Sequence, residues 1–111
     1  MITDEEFGRL SEEALETLNR ALDALADDYE VEILYQAGVL TLEIEEPALS
    51  KIVISPNSSA RQIWISAQST SFKLAWSLEN RAFVLPASNE TLSQLVGRLA
   101  GEEIGVEAFV L

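Results

Sequence analysis

The 111-residue chain contains no cysteine and no histidine. Without cysteine there is no disulfide, no thiolate zinc site and no thiol nucleophile. Without histidine the usual general base is gone, and so is the usual zinc or haem ligand. Lysine occurs only as Lys51 and Lys73, and neither sits in a recognisable motif. No phosphate-cradling glycine loop of the G-x-x-x-x-G-K-[ST] or G-x-G-x-x-G type occurs. A pair of carboxylates can do acid–base work, but only in a pocket, and the acids here read as solvated. Nor is there a Glu-x-x-His di-iron motif, which argues against a carboxylate ferroxidase. The sequence therefore points away from an enzyme. No apolar run approaches the ~20 residues needed to cross a bilayer. The opening "MITDEEFGRL" has neither a basic n-region nor transit-peptide character. The expectation is a cytoplasmic protein of one domain, residues 1–111, with no repeat, low-complexity tract or linker.

What the chain does have is acid. Nineteen acidic residues against seven basic ones leave a formal charge of −12. Nucleic acid and anionic membrane surfaces both need basic partners, so neither is expected. Cations, basic proteins or plain solubility remain. The charge is uneven: residues 1–32 hold eleven acids and two bases, net −9, whereas residues 33–111 hold eight and five, net −3.

Hydrophobic periodicity predicts the elements. Residues 4–26 read as a helix opened by a Thr3–Glu6 capping box. Phe7, Leu10, Ala14, Leu18, Ala21, Leu22 and Leu25 form its apolar arc. Glu5, Glu12, Glu16, Asp23 and Asp27 fall in an arc of about 60° on the other side. Strands are expected over residues 29–35, 38–45, 51–55, 61–67, 71–76 and 81–86, and short connections imply antiparallel pairing. A second helix over 89–100 is capped by Ser88 or Asn89, with Gly101 as its left-handed stop. The apolar tail, 102–111, packs back on the domain between the helices. The economical fold is α+β, a two-layer sandwich: both terminal helices on one face of a roughly six-stranded antiparallel sheet.

Two features stand out against that fold. The first is the acidic ridge, which continues past the helix into Asp28, Glu30 and Glu32. Arg9 and Arg20 follow Glu5 and Glu16 by four residues, and each such pair contributes about 0.2–0.5 kcal/mol. A solvated helix face accounts for most of this acidity. The acids at the helix end, however, sit against the negative pole of the dipole, which solubility does not require. An all-oxygen array suits hard cations or loosely held iron. The second is Trp64 in "RQIWISAQS", the largest side chain of its strand yet on the polar side. It is either a surface residue packed along its strand, which is ordinary, or an anchor for a protein partner. Gln62, Ser66 and Lys73 would form its polar rim.

The chain resembles the frataxin family, and its short bacterial members in particular. "EEFGRLSEEALETLNRALDAL" is similar to the family's first helix and "AGVLTLEI" to its second strand. "KIVISPNSSARQIWIS" resembles the signature strand pair, with Gln62, Ile63, Trp64 and Ser66 in the signature positions. "ETLSQLVGRLAGE" fits the closing helix. Asp23, Asp28, Glu30 and Glu32 match the family's acids. Asn19-Arg20, Ala24 and Ala26 stand where acids are common, Ser55 where asparagine is, and Ala75 where aspartate is. The family's ridge histidine is absent.

The resemblance implies a small iron-binding protein of iron–sulfur cluster assembly, an iron chaperone or a regulator of cysteine desulfurase. It implies ferrous or ferric iron weakly bound by Asp23, Asp27, Asp28, Glu30 and Glu32, extended by Glu5, Glu12 and Glu16, with no organic cofactor. The exposed sheet face, with Trp64, Gln62, Ser66, Arg61, Lys73 and Ser55, would contact the desulfurase or the cluster scaffold protein. A monomer is expected, with oligomerisation under iron load open. The competing reading is an acidic protein-interaction module with no metal role.

Overall fold

The computed structural model describes residues 2–111. These form, in chain order, α1 (Asp4–Asp28), β1 (Val31–Gln36), β2 (Val39–Ile44), β3 (Ser50–Asn57), β4 (Gln62–Ala67), β5 (Thr70–Ser77), β6 (Ala82–Leu85), β7 (Glu90–Thr91) and α2 (Leu92–Ile104). The strands make one antiparallel sheet in sequence order, β1 to β7. Helices α1 and α2 cover one face, as periodicity predicts. The seventh strand was not expected. It is two residues long, too short for any alternation to register, and it exists because Glu90 and Thr91 pair with Leu85 and Val84.

Helix α1 starts as the sequence predicts. The Glu6 N–H donates to Thr3 Oγ1 at 3.1 Å, and the Thr3 N–H donates to Glu6 Oε1 at 2.9 Å. The backbone hydrogen bond from Thr3, followed by its hydroxyl, holds the Glu6 carboxyl below its ordinary value. The helix runs two residues further than periodicity indicates. Tyr29 becomes its C-cap, the N–H donating to the Leu25 carbonyl at 2.9 Å, rather than the first strand residue. The buried stripe is also rotated. Phe7, Ser11, Leu15, Leu18, Leu22 and Leu25 are buried, whereas Leu10, Ala14 and Ala21 are only half-buried. The sheet-facing arc thus lies nearer the acidic edge than the sequence indicates, because that edge is the one set down beside β1.

Helix α2 is capped by Thr91, not by Ser88 or Asn89. The Gln94 N–H donates to Thr91 Oγ1 at 3.3 Å, and the Thr91 N–H donates to Gln94 Oε1 at 3.0 Å. Asn89 takes a left-handed conformation instead (φ 59°). The left-handed stop is Gly105 (φ 89°), and Gly101 lies inside the helix. Gly97 and Gly101, one turn apart, serve a different purpose. A Cβ on Gly97 would overlap the Phe109 carbonyl oxygen, and one on Gly101 would stand 2.7 Å from the Glu107 carbonyl oxygen. The chain beyond Gly105 doubles back across this glycine track, where the Phe109 N–H donates to the Gly97 carbonyl at 3.1 Å. Phe109 meets Tyr29 edge-on at 5.4 Å, and Leu111 ends in the groove lined by Leu10, Ala14, Leu18 and Leu92. The tail therefore packs back on the domain and reaches between the helices.

The sheet's inward positions, Leu40, Leu42, Ile44, Ile52, Ile54, Ile63, Ile65 and Leu74, are all fully buried beneath Phe7, Leu15, Leu22, Leu95 and Val96. Trp76 also faces the helices, meeting Phe83 edge-on at 5.2 Å. Alternation then leaves the even-numbered residues of β4 on the opposite, open face.

Candidate functional site: an acidic edge and an open sheet face

The acids of α1 follow the helix axis. Glu5 and Asp27 are 22 residues apart, about 33 Å at 1.5 Å per residue. The arrangement is therefore a line rather than a cluster. Glu5, Glu12, Asp23 and Asp27 are exposed, and Glu16 is half-buried. Glu12 and Glu16 lie beside Tyr35 of β1. Burial first, and then the Glu16 and Glu12 charges, push the Tyr35 hydroxyl above its ordinary value. The expected pairing of Glu5 with Arg9 and Glu16 with Arg20 does not form. Arg9 reaches forward to Glu13 at 3.8 Å, and Arg20 donates to Thr17 Oγ1 at 3.4 Å.

At the C-terminal end of α1 the carboxylates gather. Asp27, Asp28, Glu30, Glu32 and Glu45 line a shallow cleft of about 330 Å³ with Tyr29 and Val31. Asp23, one turn back, does not line it. Glu45 is a member that sequence reasoning missed. The β1–β2 register sets Val31 opposite Ile44, and the Glu45 N–H donates to the Glu30 carbonyl at 2.9 Å. The two-residue turn at Ala37-Gly38 carries that register in the sequence, and counting outward from it would have found Glu45. Glu32 faces Glu43 across the hairpin, and Lys51 partly offsets them, 3.6 Å from Glu43. Among the described residues no group of three or more acidic side chains is arranged to hold a metal ion.

The second surface is the open sheet face. Trp64 stands between Ser55 and Lys73 on the neighbouring strands and is 37% exposed. Its indole N–H donates to Gln62 Oε1 at 2.9 Å. Lys73 Nζ lies 4.9 Å from the ring centroid, a cation–π distance. Both contacts hold the ring along the sheet. Ser66 is next on the same strand face, in a cross-strand row with Thr41, Val53 and Ser71. The tryptophan is thus ringed by small, mostly uncharged side chains. Arg61 does not join them. It sits in the β3–β4 turn with φ 52°, and its Nε donates to Asp4 Oδ1 of α1 at 2.7 Å. Trp64, Gln62, Ser66, Lys73 and Ser55 are therefore brought together, and Arg61 is directed to the helix layer.

Residues 1–106 match the family model of the frataxin-like domain. A protein of Dechloromonas aromatica named iron-sulfur cluster assembly protein CyaY is 35% identical over 108 residues, 97% of each chain. A protein of the same name from Pseudomonas syringae pv. syringae is 28% identical over 106 residues, 96% of this chain and 93% of that one. Among solved structures, frataxin from Psychromonas ingrahamii matches with a TM-score of 0.81 over 99% of both chains. At 14% identity that is a likeness of fold. The family match over nearly the whole chain and the full-length relatives lead to one conclusion: this chain belongs to the frataxin-like family.

Proposed function

We propose that this chain is a non-catalytic protein of iron–sulfur cluster assembly in the cytoplasm, working as an iron chaperone or as a regulator of cysteine desulfurase. The observation that carries the reading is the separation of two surfaces on a frataxin-like domain. One is an acidic edge ending in the Asp27–Glu32 cleft; the other is a tryptophan on an open sheet face. Its full-length relatives are named for cluster assembly.

Iron, ferrous or ferric, is cargo in this reading. The donor set fits a hard cation, since every ligand on offer is a carboxylate oxygen. It also predicts loose binding, each ion held by one or two of Asp27, Asp28, Glu30 and Glu32, with Asp23, Glu16, Glu12 and Glu5 leading along the helix. The acidic edge would meet a basic patch on the desulfurase. Trp64, with Gln62, Ser66, Lys73 and Ser55, would dock on the desulfurase or scaffold. Removing a buried interface tryptophan costs at least ~2 kcal/mol of binding.

The deciding experiment measures desulfurase turnover with and without this protein, each with and without iron. An effect that depends on iron and is lost in Trp64→Ala supports the reading; no effect under any condition refutes it. Among the described residues no three carboxylates are arranged to hold a metal ion together, which favours one second reading, an acidic interaction module without metal. Iron titration followed by NMR separates the two. Broadening centred on residues 23–32 supports iron, and broadening that spares them supports the module.

A further inference from the structure

Strand β1 is an open sheet edge. The opposite edge, β7, has two residues and runs directly into α2. The Ala37-Gly38 turn and the Glu45–Glu30 backbone bond set the hydrogen-bond phase of the β1–β2 ladder. Residues 30, 32, 34 and 36 bond toward β2, so the N–H and C=O groups of Ile33 and Tyr35 point away from the sheet. Beyond the strand ladders, no backbone bond among the described residues reaches either residue.

Proteins blunt such edges with lysine, proline, a bulge or a short strand. Strand β1 has none of these: its six residues pair with β2 in unbroken register. Ile33 and Tyr35 on the helix side and Leu34 on the open side are half-buried, so apolar surface flanks the edge on both faces. Helix α1 packs beside the strand on one face; on the strand and around it the guard is negative charge. Glu32 lies on the strand, Asp27, Asp28 and Glu30 just before it, and Glu12 and Glu16 beside Tyr35. A second copy of the chain would bring the same charges into opposition, which is unfavourable. A strand bearing lysine or arginine would gain both the backbone pairing and the charge.

We propose that the β1 edge accepts an extended basic segment of a partner protein by strand addition. The backbone groups of Ile33 and Tyr35 supply the pairing, and the flanking carboxylates select positive charge. This rests on the reading that the acidic edge meets a basic partner, and adds how the backbone takes part.

The test uses the full chain and two eight-residue peptides of alternating lysine and valine. One has an ordinary backbone; its twin is N-methylated at every backbone nitrogen, keeping its charge but donating no backbone hydrogen bond. The ordinary peptide is expected to bind at least about tenfold more tightly and to slow amide exchange at Ile33 and Tyr35. Equal binding of the two overturns strand addition while leaving a purely electrostatic basic partner standing. Binding of neither overturns both ideas. Protection centred on the Trp64 face instead of β1 overturns the placement.

Discussion

Replacing Gly97 by alanine should destabilise this protein although it improves the helix. In an ordinary helix interior the change is favourable by about 1 kcal/mol. Here the new Cβ would overlap the Phe109 carbonyl oxygen, so the returning chain must lift off α2. Lifting it breaks the Phe109–Gly97 backbone hydrogen bond, worth about 1 kcal/mol. It also breaks the Tyr29–Phe109 edge contact, worth about 0.5–1.5 kcal/mol. Exposing half-buried Phe109 and Leu111 adds about 1–2 kcal/mol. Part of this is recovered as the freed residues regain conformational entropy. The net expectation is a loss of about 1–2 kcal/mol, a fall in melting temperature of roughly 4–8 °C per kcal/mol for a domain near this size. The informative assay is thermal melting of Gly97→Ala in two backgrounds, the full chain and a chain ending at Val106. The latter keeps the Val106–Gly101 cap bond. Without the tail the obstruction is gone, and the same substitution should stabilise. An effect of the same sign in both backgrounds refutes the reasoning.

Three further outcomes follow from the geometry. Ala37 holds φ 53° in the β1–β2 turn, a conformation alanine adopts at a cost; Ala37→Asn should raise stability by about 0.5–1 kcal/mol, read as a higher denaturation midpoint. Arg98 forks onto Glu90 at 2.8 and 2.9 Å and reaches Glu102 at 3.2 Å; its hydrogen bonds hold the Glu90 carboxyl below its ordinary value. A depressed carboxyl adds stability that is present above its unfolded-state pKa and lost as pH falls through the folded one; Glu90→Gln should therefore narrow its gap to the parent protein on acidification, and a gap independent of pH would argue against the linkage. Like charges crowd α1 and the cleft at its end, so added salt or divalent cations should raise the melting temperature; an unresponsive melting temperature would mean the edge is already neutralised.

Much of the domain was legible in the sequence because it rests on local periodicity. The Thr3–Glu6 box, the alternation of β2 and β4, and the outward placement of Trp64 each depend on a few neighbouring residues. So does the acidic edge of α1, whose spacing is a property of the helix itself. The α+β sandwich followed from counting apolar faces that need cover.

Other features depend on contacts between segments far apart in the chain, which no local pattern carries. Gly101 reads as a helix stop because glycine tolerates left-handed backbone; only the tail's return shows that it and Gly97 are bare to admit the backbone of residues 107–109. Arg61 is expected with Gln62 and Trp64 on the open sheet face, yet its own left-handed backbone carries its side chain to Asp4 of α1. Glu45 joins the acids of α1 through hairpin register, across 15 residues of chain from Glu30. The buried arc of α1 was misjudged by about 40°, since a helix wheel carries apolarity but not which side the sheet approaches. The sequence alone determined which surfaces this protein presents. Tertiary structure decided which side chains share them, because register, layer and chain return are set by long-range packing.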